Sequence, residues 1–282
     1  SFKTASVADA ITITGECSMS NDVIHQNPWD ELRQFTAARI ALGRTGNSLP
    51  TKELLKFGLA HAQARDAVHL PFAAETLAEE LQQQRFSTLQ AHSAAPDRET
   101  YLRRPDLGRQ LANDSREWLK QHAAPVDLLI VVGDGLSSTA IHRNTVPFLL
   151  ELRPRLEALG ITLGPVVLTR QARVAVGDDI AETMQAKAVA VLIGERPGLS
   201  SPDSLGIYLT WAAKVGLLDS ERNCISNVRP EGLNYPEAAH KLSWLLSEAF
   251  RRQLSGVALK DESDDVPDIL LQRRTSATLN IT

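Results

Sequence analysis

Three apolar runs in this chain end abruptly in glycine or charge, and each ending offers groups that could hold a ligand. The first ending, Gly133-Asp134-Gly135-Leu136-Ser137-Ser138, follows the run at 128–132 and opens a helical segment. Glycines there would let a phosphate approach the backbone at a helix N-terminus, so the stretch is a weak dinucleotide fingerprint with Ser138 in place of the third glycine. The competing reading is a tight strand-to-helix turn with Ser137 as the helix cap. An acid to bind the ribose is missing, because the next strand ends in Thr169-Arg170.

The second ending runs from Thr169-Arg170-Gln171-Ala172-Arg173-Val174 to Gly177-Asp178-Asp179. Its arginines could hold an anionic group, or could be surface cations beside the two aspartates. The third is Gly194-Glu195-Arg196-Pro197-Gly198. Glu195 could accept from amides or hydroxyls while the glycines admit a large flat ligand, or the segment could only shape a turn. Cys224, in Asn223-Cys224-Ile225-Ser226-Asn227, reads either as a small buried apolar residue or as a nucleophile. None of the seven histidines is spaced with another as metal ligands are, and no nucleophile elbow, Walker loop or H-E-x-x-H occurs. The chain reads as a holder of something large and polar, with no catalytic machinery or metal site of its own.

Composition narrows the class. The 282 residues, 43% apolar, are enough for a substantial core, and a net charge of −4 gives no general drive toward nucleic acid or anionic membrane. Two cysteines, Cys17 and Cys224, make no disulfide framework and point to a reducing, cytoplasmic setting. The longest apolar runs fall short of the roughly 20 residues a membrane helix needs, and no signal-peptide core is expected at the N-terminus.

The elements that must position these residues divide the chain. Residues 1–26, polar apart from a β-prone piece at 11–14, read as a flexible arm. Residues 27–122 read as a helix-rich N-terminal domain. One helix is capped by Thr51, with Leu54, Leu55, Gly58, Leu59 and Ala62 on its inward face; a second covers 73–84; a third is capped by Asp106 and turns Leu107, Leu111, Trp118 and Leu119 inward. From residue 123 to 260 short apolar runs alternate with helical segments, the pattern of an α/β, Rossmann-like domain with a parallel sheet. Strands are expected at 128–132, 166–169, 188–193, 206–211 and 224–227, and helices at 138–159, 178–186 and 236–254. Gly160 suits a left-handed helix C-cap, and Asn234 with Pro236 a helix start. Residues 261–282 read as a tail, acidic over 261–265 with an apolar knot at 266–271, flexible and able to dock elsewhere.

Six segments occurring in order are more specific than any one of them: N-P-W-D-E-L-R-Q-F-T-A-A-R-I-A-L-G-R from Asn27, L-P-T-K-E-L-L-K-F-G-L-A-H-A-Q-A-R-D-A-V from Leu49, Y-L-R-R-P-D-L-G-R-Q-L from Tyr101, D-G-L-S from Asp134, G-E-R-P-G-L from Gly194 and C-I-S-N from Cys224. Together they closely resemble the small subunit of ethanolamine ammonia-lyase, over roughly Asn27 to Lys260. The resemblance implies an adenosylcobalamin enzyme of two subunit types that converts ethanolamine to acetaldehyde and ammonia by radical chemistry. Its large subunit is a TIM barrel carrying most of the substrate site, and the cobalamin is clasped between the subunits. The cobalamin-contacting positions of the family pattern match Val174, Glu195 and Cys224. No D-x-H-x-x-G histidine is present, which suits a family that keeps the cofactor's own benzimidazole on cobalt. Two departures bear on this reading: the chain continues beyond Lys260, and its first 26 residues lack the amphipathic helix that would direct it into a bacterial microcompartment. A stand-alone nucleotide-binding enzyme built on 133–138, or a non-catalytic scaffold, are the alternatives.

Overall fold

The computed structural model describes residues 27, 29–36, 38–265 and 268. The expected arm at 1–26, Cys17 with it, and the apolar knot at 266–271 apart from Asp268 lie outside the described residues. Contacts divide the chain into two compact units between Phe57 and Gly58.

The first unit holds a 3-10 turn at Asp30–Gln34 and the start of helix α1 (Thr51–His69). Glu53 ties them, accepting from Lys56 at 3.0 Å and lying 3.5 Å from Arg33. Only Ala67 of α1 is buried, whereas Leu54, Leu55 and Leu59 are more than half exposed. The face expected to point inward is therefore bare. A 3.6-residue period says that one face is apolar, not what lies against it.

The second unit is built on six strands: β1 (Thr88–His92), β2 (Val126–Gly133), β3 (Val166–Arg170), β4 (Ala186–Gly194), β5 (Leu205–Trp211) and β6 (Asn223–Val228), in the order β1-β3-β2-β4-β5-β6. Its helices are α2 (Ala74–Gln83), α3 (Arg98–Arg103), α4 (Asn113–Gln121), α5 (Ser138–Leu159), α6 (Val176–Met184) and α7 (Tyr235–Arg252). Alternate residues of a strand face opposite sides, and each side of this sheet has its own core. Leu128, Ile130 and Val132 pack toward α2, α5 and α7, while Leu129 and Val131 pack toward α6. Each leucine so buried contributes about 1.5–3 kcal/mol, which is why β2 reads as one continuous apolar run. Ser137 caps α5 through the Ala140 N–H at 3.2 Å, Gly160 ends it in the left-handed conformation at φ 68°, and Asn234 caps α7 through the Glu237 N–H at 3.0 Å.

The sheet is mixed rather than parallel. The first four strands in spatial order are parallel, but β5 runs antiparallel to β4 and β6 antiparallel to β5. No α-helix lies between β4 and β5 or between β5 and β6, and a parallel pair needs such a crossover. Residues 58–122, expected within a separate helix-rich domain, place β1 on the sheet edge and α2 in its core. The helix expected from Asp106 is two pieces: a 3-10 turn at Leu107–Arg109, then α4. The break lies at 110–112, which run extended against 92–94, with the Ala94 N–H on the Gln110 carbonyl at 2.8 Å and the Ala112 N–H on the His92 carbonyl at 3.1 Å. Leu111 and Leu119 are buried as expected, but Trp118 faces solvent. α6 starts two residues before Asp178, and its first turn carries two buried acids.

Candidate functional site

Gly135 and Gly194 decide what the β2–α5 turn can hold. A Cβ on Gly135 would lie 2.3 Å from the Gly194 carbonyl oxygen, and one on Gly194 would lie 2.0 Å from that of Ser137. The Leu136 N–H donates to the Gly194 carbonyl at 2.9 Å. The turn is packed against the end of β4, and the amide a phosphate would take is already paired. Asp134 bridges strand ends, accepting from the N–H groups of Gln171 at 3.1 Å and Ala172 at 2.9 Å beside the Arg98 guanidinium. Burial pushes its carboxyl above the usual aspartate range. These glycines serve backbone packing, and the tight-turn reading with Ser137 as cap holds.

At the second ending Arg170, Asp178 and Asp179 are held in ion pairs. Arg170 pairs with Glu75. Asp179 receives both Nη atoms of Arg116 at 2.6 and 2.7 Å, and Asp178 receives both Nη atoms of Arg222 at 2.5 and 2.7 Å. Asp178 and Asp179 are buried, not surface acids beside the loop arginines. Burial pushes the Asp178 carboxyl up, and the Arg222 fork pulls against it. Arg173 lies over the Tyr101 ring at 4.3 Å and borders a cleft of ≈ 550 Å³ together with Val174, Arg109, Tyr208 and Leu218.

Tyr208 joins the remaining pieces, and sequence reasoning missed it. It is the cross-strand partner of both Val191 on β4 and Cys224 on β6, so all three side chains share a face. On β4 that face is covered by α6, where a Cβ on Gly177 would lie 2.3 Å from Val191 Cγ2. On β6 it is open: Cys224 and Ser226 are exposed. Glu195 arrives at the patch from the end of β4. Its Oε2 accepts from Ser204 Oγ and from the Asn227 N–H at 3.3 Å, and its Cγ lies 3.2 Å from where a Gly206 Cβ would be. Asn227 is itself left-handed, at φ 58°.

Glu195, Tyr208 and Cys224 thus form one patch, and Val174 lies across the cleft that Tyr208 borders. Cys224 is the second residue of β6. The Cys224 thiol is pushed up by partial desolvation and by Glu195, against a hydrogen bond with Tyr208 that lowers it. A thiol so held is a poor nucleophile at neutral pH. Tyr208 is raised by desolvation, then by Cys224 and Glu195. The patch offers an aromatic face, a small polarisable thiol, and a carboxylate held by two donors. Among the described residues no group of three or more His, Cys, Asp or Glu could hold a metal ion, and no helix is long and apolar enough to cross a membrane.

Residues 26–260 match the family model described as ethanolamine ammonia-lyase light chain. The chain belongs to that family. Similar relatives carry the name ethanolamine ammonia-lyase small subunit. One from Pseudomonas fluorescens (strain Pf0-1) is 59% identical over 242 residues, 84% of this chain and 88% of the relative. One from Pseudomonas aeruginosa (strain LESB58) is 59% identical over 247 residues, 86% of this chain and 90% of the relative. One from Pseudomonas syringae pv. tomato is 58% identical over 241 residues, 84% of each. This light chain is a lyase subunit. The matched span contains the whole sheet and all of Val174, Glu195 and Cys224, and it stops before the acidic segment at 261–265.

Proposed function

We propose that this chain is the small subunit of an adenosylcobalamin-dependent ethanolamine ammonia-lyase, and that it holds one side of the cobalamin against a TIM-barrel large subunit. The observation that carries the reading is the open face of β6 at Cys224 and Ser226, joined by strand register to the half-buried Tyr208 on β5 and bordered by Glu195, in a chain of this family. A corrin ring is broad, flat and fringed with amides, and the residues present fit such a group. Val174 and Tyr208 offer apolar and aromatic surface beside the cleft. Glu195 accepts from amide N–H groups, and the small Cys224 lets the ring come close to the strand.

When bound, the cofactor supplies a carbon-centred radical that converts ethanolamine to acetaldehyde and ammonia. The residues of this chain orient and shield. Ser204 and the Asn227 N–H fix Glu195, and Tyr208 with Val174 keeps water from the covered edge. No histidine borders the cleft, so this chain's groups there would hold the cofactor by packing and hydrogen bonds and not by a bond to its metal. In this reading residues 27–122 supply the large-subunit surface, on which Leu54, Leu55 and Leu59 stand exposed, and the Rossmann-like part over 123–260 supplies the cobalamin surface. The assembled enzyme works in the cytoplasm, free or inside a microcompartment.

The test is reconstitution. The purified chain alone is expected to leave ethanolamine unchanged, and the chain co-purified with a large subunit to carry cobalamin absorbance and turn ethanolamine over. Turnover by the chain alone, or protein-histidine nitrogen on cobalt in the EPR spectrum of the complex, sinks the reading.

A further inference from the structure

One residue beyond the family match the chain turns acidic, D-E-S-D-D over 261–265 and Asp268 soon after. These described residues lie on α5 and α7. Lys241 of α7 reaches Asp264 at 2.6 Å, Ser263 Oγ at 3.2 Å and Asp261 at 3.5 Å. His240 Nε2 donates to the Ser263 carbonyl at 3.0 Å, and Ser263 is fully buried. A groove of ≈ 420 Å³ between this segment and the start of α7 is bordered on the α7 side by Leu233, Pro236, Glu237, His240 and Lys241.

Arg155 of α5 is the telling residue. It is a charged side chain only 3% exposed. Within its own helix it finds the Glu151 carbonyl at 2.6 Å and the half-exposed Glu151 carboxylate at 3.3 Å, and its buried Nε has no partner. Its other terminal nitrogen donates to the Asp268 carboxylate. A buried guanidinium is strongly unfavourable unless carboxylates match it; Glu151 offers one that is half exposed, and the tail brings a second, better buried one.

The geometry points to the α5–α7 face as a receptor for an acidic peptide, with Arg155 as carboxylate anchor, Lys241 as second cation, and this chain's own residues 261–265 and 268 as occupant. Chain continuity favours the occupant in cis. Leu259 is buried against the core, so Asp261 is delivered beside Lys241 with no gap to span. The inference stands independently of the cobalamin reading, because none of these residues belongs to that patch.

The test uses the full-length chain, hydrogen exchange over 261–265, and a labelled synthetic peptide of residues 261–282 added in trans. In the wild type the segment is expected to be protected and the peptide not to bind. The double variant Asp264→Asn, Asp268→Asn is expected to exchange at least tenfold faster over 261–265 and to bind the peptide, more weakly as salt rises. Adding Arg155→Met, a buried replacement of similar size that such sites tolerate, is expected to abolish that binding while leaving the melting temperature of the double variant in place. Unchanged exchange in the double variant, or peptide binding that survives Arg155→Met, overturns the proposal. Exchange of tails between isotopically mixed copies overturns the cis assignment and gives the site to a second copy.

Discussion

The two halves of the sheet are finished differently. In β1, β3, β2 and β4 the strands are parallel and β2 and β4 have helices against both faces, whereas β5 and β6 are antiparallel and α7 covers only one of theirs. The acids of the first half are closed inside: Asp134 on strand-end amides, Asp179 on Arg116, and Asp178 on Arg222, which comes from the β5–β6 connection. On the second half Tyr208, Cys224 and Glu195 meet at an open face. Substitutions in the first half should therefore read out as stability, and those on the open face as ligand affinity.

The largest effect is expected from Asp178→Ala. It strands Arg222, whose side chain is 1% exposed, and should cost about 3–5 kcal/mol in denaturant unfolding. Gly177→Ala drives a methyl into Val191 and should cost about 1–3 kcal/mol by overpacking. A loss under half a kcal/mol would show that α6 is not what closes that face. Glu195→Ala should leave unfolding nearly unchanged but weaken cobalamin binding to the two-subunit complex by about 1–3 kcal/mol, the scale for buried polar groups left unmatched. If instead it destabilises the chain as much as Gly177→Ala, Glu195 belongs with the closed half and the contrast fails.

Smaller effects refine the comparison. Asp127 at the start of β2 is held at about 2, first by Lys187 at 2.7 Å and then by the Thr162 N–H at 2.9 Å and hydroxyl. Its folded value lies below the unfolded one of about 3.9, so its contribution is full above that value and is lost as pH falls toward 2. Unfolding curves of wild type and Asp127→Asn should converge between about pH 4 and 2; curves that stay parallel would deny Asp127 this role. Cys224→Ser is expected to be the mildest change, within about 0.5 kcal/mol in stability, as for exposed positions generally. A larger loss would place the thiol in the packing of the closed half.

Much of the strand set was legible because burial on both faces writes itself as an uninterrupted apolar run, as in β2 and β4. Pairing direction was not, since it depends on whether a crossover separates the strands, and the segment at 195–204 resembles any other loop. β1 went unread because an edge strand such as T-L-Q-A-H is only part-buried and carries no run. The third ending was visible at Glu195, where a strand stops in a charge. Its neighbours Ser204, Tyr208 and Asn227 could not be seen, because they reach it through strand register. The outward alternation of Tyr208 between Ile207 and Leu209 was the one available signal.

The mutual approach of Gly135 and Gly194 carries a consequence for recombining this scaffold. Each position is emptied by the backbone of the other's loop, so the two vary as a single character. A βα turn imported from another sheet protein, with a side chain at either place, would be rejected unless its partner segment from the end of β4 came with it. Chimeras that keep both loops from one parent should fold, and those that split them should not, however similar the parents are elsewhere.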